Sequence, residues 1–171
     1  MTRIAFLGDV HGDLGWILAA HRAAIRAGAT LLIQVGDFGA EWPGFHKTKM
    51  ADRLQRQVAQ LGLPIAFIRG NHDNVDAFFP LKIEPEGWAK LREDIFYIAD
   101  SARLIWEGIS IGGLGGATSR DIQWCLSDES KGRGRRKPRT LYWPEERVAE
   151  QAAERLNTGG NLDILSPTKP P

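Results

Sequence analysis

Ile4-Ala5-Phe6-Leu7-Gly8-Asp9-Val10-His11 is an unbroken apolar run that passes at once into a glycine, a carboxylate and an imidazole, and this succession returns twice. Leu31 to Val35 runs into Gly36-Asp37, and Ile65 to Ile68 runs past Arg69 into Gly70-Asn71-His72-Asp73. Short, nearly continuous apolar runs without polar alternation are the pattern of strands buried on both faces. Helical patterns separate them. The first takes Asp13 as N-cap, sets Leu14, Ile17, Leu18, His21 and Ile25 on one side and stops at Gly28. The second covers Lys49 to Leu61, turns Met50, Leu54, Val58 and Leu61 inward and ends at Gly62 before Pro64. Strand, helix, strand, helix, strand is the rhythm of an α/β layer.

In a parallel sheet the carboxyl ends of neighbouring strands lie side by side, so three turns distant in sequence meet in one crevice. Asp9 and His11 are two positions apart, which in extended backbone points both side chains the same way. Carboxylate, imidazole and amide oxygen together suit a divalent ion such as manganese, iron or zinc better than a thiolate site would. The glycines let the backbone turn tightly beside such an ion. Any one of these turns alone reads as readily as an ordinary polar loop; three in order, each directly after a buried strand, do not.

Beyond Asn74 a short helical turn is expected over Val75 to Phe79, after which Pro80, Pro85 and Gly87 interrupt regular structure. Ile95 to Ile98, Arg103 to Trp106 and Ile109 to Leu114 read as three short strands of a meander in a second sheet. Residues 115 to 141 read as a long loop, followed by a helix from Pro144 to Leu156 and a last strand from Leu162 to Leu165. With 171 residues and 43% hydrophobic side chains, the chain is expected to fold as one domain over residues 1–171.

Charge excludes a strongly basic or acidic partner surface as the default, because 22 Lys and Arg stand against 21 Asp and Glu, a net of +1. Six of the basic residues fall in Lys131 to Arg139, which contains no acid, so the remainder carries 16 − 21 = −5. That segment can contact nucleic-acid phosphates without reading sequence, but a solvated loop is the favoured reading. Cys125 is the one cysteine, so no intrachain disulfide forms, and no stretch approaches the roughly 20 apolar residues of a membrane span. A cytoplasmic protein with no membrane association is expected. The sequence gives no indication of oligomeric state.

In order, spacing and strand context the three turns resemble the calcineurin-like metallophosphoesterases. Gly112-Gly113-Leu114-Gly115-Gly116-Ala117 with Ser119 and Asp121, then Tyr142-Trp143-Pro144-Glu145-Glu146, resemble a bacterial and phage-type branch of that family. The resemblance implies a four-layer αββα sandwich and a metal-dependent hydrolase of phosphate mono- or diesters. It makes Asp9 and His11 ligands of a first ion, Asp37 a bridging carboxylate and Asn71 a ligand of a second ion. His72 becomes the catalytic residue, as general acid or as a contact to the phosphoryl oxygens. Two divalent ions about 3.5–4 Å apart, manganese before iron or zinc, would hold substrate and water for in-line displacement. Arg69 and Arg120 have guanidinium forks that fit a phosphate, and Trp42, Trp124, Tyr142 and Trp143 are aromatic neighbours that read foremost as packing.

The family pattern also asks for three further histidines near the end of the chain. Asp163-Ile164-Leu165-Ser166-Pro167-Thr168 resembles the first of those segments with Thr168 in the histidine place, and no later histidine turn follows. His21, on an apolar helix face, reads as a core-edge residue, and His46 as an exposed loop residue. The expectation is therefore a sandwich incomplete at the C-terminus, holding one ion weakly and a second more weakly. The alternative is an inactive scaffold of the same fold that acts as a binding or regulatory protein.

Overall fold

Residues 1–41, 50–120, 122–130, 142–147 and 150–167 are described by the computed structural model. Strands β1 (Ile4–Leu7), β2 (Leu31–Val35) and β3 (Ile65–Ile68) pair in parallel, with Leu7 opposite Gln34 and Val35 opposite Ile68. A hairpin of β4 (Trp88–Arg92) and β5 (Ile95–Ile98) joins them, β5 lying parallel to β3, so the sheet order is β1-β2-β3-β5-β4. The second sheet is β6 (Arg103–Trp106), β7 (Ile109–Leu114) and β8 (Ile164–Pro167), antiparallel between β6 and β7 and parallel between β7 and β8.

Period-two alternation sends the apolar strands of the first sheet into two separate cores. Leu32, Ile65 and Phe67 face helices α1 (Leu14–Arg26) and α2 (Met50–Leu61), where Ile17, Leu54 and Val58 meet them. Leu31, Ile33, Ala66 and Ile68 face the opposite way and pack on Leu104 and Ile111 of the second sheet. β2 and β3 are buried on both faces, which is why they are almost wholly apolar, each such side chain stabilising the fold by roughly 1.5–3 kcal/mol on burial. By contrast β1, also read as buried on both faces, has only Leu7 buried and leaves Phe6 50% exposed at the sheet edge. On the outer side of the second sheet lies α5 (Glu150–Thr158), whose Leu156 approaches Gly112. The layers therefore run helices, sheet, sheet, helix, the expected αββα order. Among the described residues no helix is long and apolar enough to cross a membrane.

Five local readings need correction. Ile95–Ile98 belongs to the first sheet and not to a meander of the second: Ile95 and Tyr97 fill the helix-side core while Ile98 fills the inter-sheet core. Its hairpin partner β4 was not expected at all, because Lys90 and Arg92 obscure a strand in which only Ala89 and Leu91 are buried. Within the stretch read as loop stands a helix, α4 (Ile122–Ser130), whose apolar signal is weak because Trp124 and Leu126 are exposed and Cys125 is buried. The Pro144 helix is split into a single 3₁₀ turn, Pro144–Glu146, and α5. The last strand begins two residues later than read, since Leu162 packs over Gly112 while Asp163 accepts the Ser110 N–H at 2.8 Å. Short α3 (Val75–Phe78) falls where a helical turn was expected.

Asp13 caps α1 as read, its carboxylate accepting the Trp16 N–H at 3.0 Å, and Gly28 ends the helix with a φ of +73°. His21 is fully buried, deeper than the core-edge position expected. Its Nε2 donates to the Leu63 carbonyl at 2.7 Å, and Nδ1 has no hydrogen-bond partner. A second proton on Nδ1 would sit in a dry core; burial lowers the His21 pKa from 6.5, the Leu63 carbonyl opposes this and Arg22 adds to it. The unfolded chain thus takes up the proton first, so stability is full above the unfolded value and falls as pH drops below it. Urea midpoints measured at about pH 8 and about pH 5.5 should show this loss, and His21→Gln should flatten it. An equal slope in wild type and variant would exclude His21 as its source.

Candidate metal centre

The three turns at the carboxyl ends of β1, β2 and β3 are stitched together by backbone. The Asp37 carbonyl accepts the N–H groups of Val10 (3.3 Å) and His11 (2.8 Å), and the Phe38 carbonyl accepts Gly12 N–H at 3.0 Å. Gln34, fully buried although polar, donates its amide to the Gly8 carbonyl at 3.1 Å and also to the Gly36 carbonyl. Buried polar groups need such partners. A glutamine inside an apolar strand was the sequence signal for this joint, and it went unread.

Between Asp9 and His11 the backbone does not stay extended, as the sequence reading assumed. His11 adopts φ 45° and Asp37 φ 52°, left-handed values that non-glycine residues hold only when the surroundings enforce them. Even so the side chains converge: one ligand atom each from Asp9, His11 and Asp37 lies within 4.8 Å of the others. Asp9 and His11 are exposed, and Val10 between them is buried and anchors the turn. Ligands on one zinc-like ion, at bonds of about 2.0–2.2 Å, can be separated by up to about 4.4 Å, so small rotations of two exposed side chains suffice. A hard or borderline divalent ion fits this donor set.

Asp37 divides its two oxygens. Oδ2 stands 3.8 Å from His11 Nε2, while Oδ1 accepts the His72 N–H at 3.0 Å. Gly70 makes this approach feasible, since a Cβ there would lie 2.0 Å from Asp37 Oδ1. His72 places its ring 6.0 Å from that of His11, centroid to centroid, edge toward face. Asn71 donates from Nδ2 to the Ser119 hydroxyl at 2.8 Å, which leaves Oδ1 as the acceptor atom of its side chain. Ser119 belongs to the stretch quoted for the family resemblance but was given no role there.

Asp73 spends both oxygens on backbone N–H groups. Fully buried, it accepts the N–H groups of Phe38 (3.0 Å), Gly39 (2.7 Å) and Gly70 (2.8 Å), and so ties the turn after β2 to the turn after β3. Burial pushes its carboxyl above the usual range, against the pull of those three donors. Asp73→Ala would strand three buried N–H groups, costing about 3 kcal/mol or more. For a chain of this size that is a melting temperature about 6–12 °C lower, read by circular dichroism. A loss under about 2 °C would show that water replaces the carboxylate.

The remaining sequence candidates separate clearly. Arg69 is 1% exposed and its guanidinium is held by Asp100, with Nε at 2.8 Å and Nη2 at 2.5 Å from Oδ2. Arg120 is exposed and adjoins Ser119. Trp143 is buried, with Nε1 donating to Asp76 at 2.8 Å, so it is packing, whereas Trp124 is 60% exposed. Trp42, His46, Asp121, the basic segment 131–139 and Thr168 lie outside the described residues.

The parallel strands of the first sheet gather two carboxylates and an imidazole at ion-binding range, on turns joined by their own backbone, which makes a candidate metal centre at the strand ends. The family model for calcineurin-like phosphoesterases matches residues 2–153, and the chain belongs to that family. No curated protein matches the sequence. Membership points to metal-dependent hydrolysis of phosphate esters, and Asp9, His11 and Asp37 form the candidate metal site.

Proposed function

We propose that this chain hydrolyses phosphate mono- or diesters at a centre for two divalent ions, with Asp9, His11 and Asp37 holding the first and Asp37 and Asn71 the second. The observation that carries the reading is the split Asp37 carboxylate, one oxygen toward His11 and the other against the Asn71-His72 turn. When bound, the ions supply Lewis acidity toward the phosphoryl oxygens and a water acidic enough to act as nucleophile near neutral pH. The chain itself supplies their placement and a proton. His72 acts as general acid toward the leaving alkoxide, and Arg120 is the side chain we assign to a substrate phosphate oxygen.

Among the described residues this assignment gives the first ion three protein ligands, Asp9, His11 and Asp37, and the second two, Asp37 and Asn71. Manganese is the ion to try first. The test is hydrolysis of an aryl phosphodiester and an aryl monoester by the purified chain, with Mn²⁺ added and then removed by chelator. Turnover that follows the ion supports the reading. A folded chain that binds Mn²⁺ without turnover overturns it in favour of a non-catalytic scaffold.

A further inference from the structure

We infer that Arg69 and Asp100 are positioning residues for Asn71, locking the turn after β3 to the segment after β7 so that the Asn71 amide oxygen is presented to the second ion. The inference rests on the functional reading above. Arg69 immediately precedes Gly70-Asn71-His72, and its buried charge is met by Asp100 Oδ2 and by the Arg147 carbonyl at 3.2 Å from Nη2. Asp100 spends its other oxygen on the Gly115 N–H at 3.1 Å, while the Arg69 carbonyl accepts the Gly116 N–H at 3.0 Å. Arg69 is thus fastened to Gly115-Gly116 twice, through its own backbone and through Asp100.

Within a few residues along both segments, Asn71 meets Ser119, itself 7% exposed. An amide serves as a metal ligand only through oxygen, so which end faces the ion depends on a fixed partner for the nitrogen. Ser119 is that partner, and its position relative to Asn71 is set by the Arg69–Asp100 link beside it. There is no slack in the link: a Cβ on Gly115 would lie 2.7 Å from Arg69 Cγ, from the Arg69 carbonyl oxygen and from Asp100 Oδ1. The partly exposed Asp100 carboxylate neutralises the buried guanidinium, whose planar fork makes two contacts where a lysine ammonium cannot.

The test reads the Asn71 side-chain amide directly in ¹⁵N spectra of the metal-free chain, assigned by its loss in Asn71→Asp. In Asp100→Asn, and independently in Arg69→Lys, that amide should shift and exchange with solvent about tenfold faster. The Gln34 amide, buried at the neighbouring strand end, should not change. In Mn²⁺ titrations the weaker binding step should lose about tenfold while the tighter step stays. Arg69→Lys decides the matter should Asp100→Asn fail to fold. An unchanged Asn71 amide in a folded variant, or equal changes at Asn71 and Gln34, overturns the inference alone. A wild-type chain that binds no Mn²⁺ overturns the metal-centre reading instead, and the part of the inference concerning the second ion with it.

Discussion

Asp37→Asn and Asp37→Ala are each expected to lower Mn²⁺-dependent phosphoester hydrolysis by about 10³-fold or more, because one carboxylate serves both halves of the proposed centre. The asparagine variant is the sharper test. Asp37 sits at φ 52°, a conformation that Asn tolerates and Ala does not, and an amide oxygen can still accept the His72 N–H now bonded to Oδ1 at 3.0 Å. The Val10 and His11 bonds go to the Asp37 backbone and survive either substitution. Asp37→Asn should therefore melt close to wild type and yet lose both Mn²⁺ binding and turnover, whereas Asp37→Ala should melt lower as well. Retention of more than about a tenth of the activity by the asparagine variant would remove Asp37 from the centre.

His72→Ala is expected to reduce turnover by about 10²- to 10⁴-fold with Mn²⁺ binding largely kept, since the imidazole is assigned to the substrate and not to an ion. Its backbone N–H, which holds Asp37, remains in the variant. A general acid matters most when the leaving group is a poor one. The loss should accordingly be steep for an alkyl ester and shallow for an aryl ester whose phenolate departs unaided. Equal losses on both esters would make His72 a contact to the phosphoryl oxygens instead, and a loss under about tenfold on both would end its assignment as a catalytic residue.

How far the residues alone could be read depends on whether their pattern was local. The three strand-turn units, the Asp13 cap and the Gly28 stop are legible because each follows from a few adjacent residues: an apolar run, an oxygen acceptor, a residue free to take positive φ. Sheet membership is not of that kind. Ile95–Ile98 looks like any short apolar strand, and nothing in its four residues says that it pairs with β3 and not with β6. The β4 strand and α4 stayed hidden because charged and exposed apolar side chains weaken their periodicity.

At the site the same division holds. The sequence by itself determined which side chains the proposed centre can draw on, Asp9, His11, Asp37 and Asn71 toward the ions and His72 toward the substrate, because their chemistry resides in the side chain and the apolar runs place each turn at a strand end. Only the tertiary structure decided how those donors are held: Asp73 spans two turns, Asp37 splits its oxygens, and Arg69, which a linear reading offers to the substrate, is spent on Asp100. The physical reason is that a buried charge takes whichever partner packing brings within reach, and two of these partners, Phe38 for Asp73 and Asp100 for Arg69, stand more than thirty positions away along the chain.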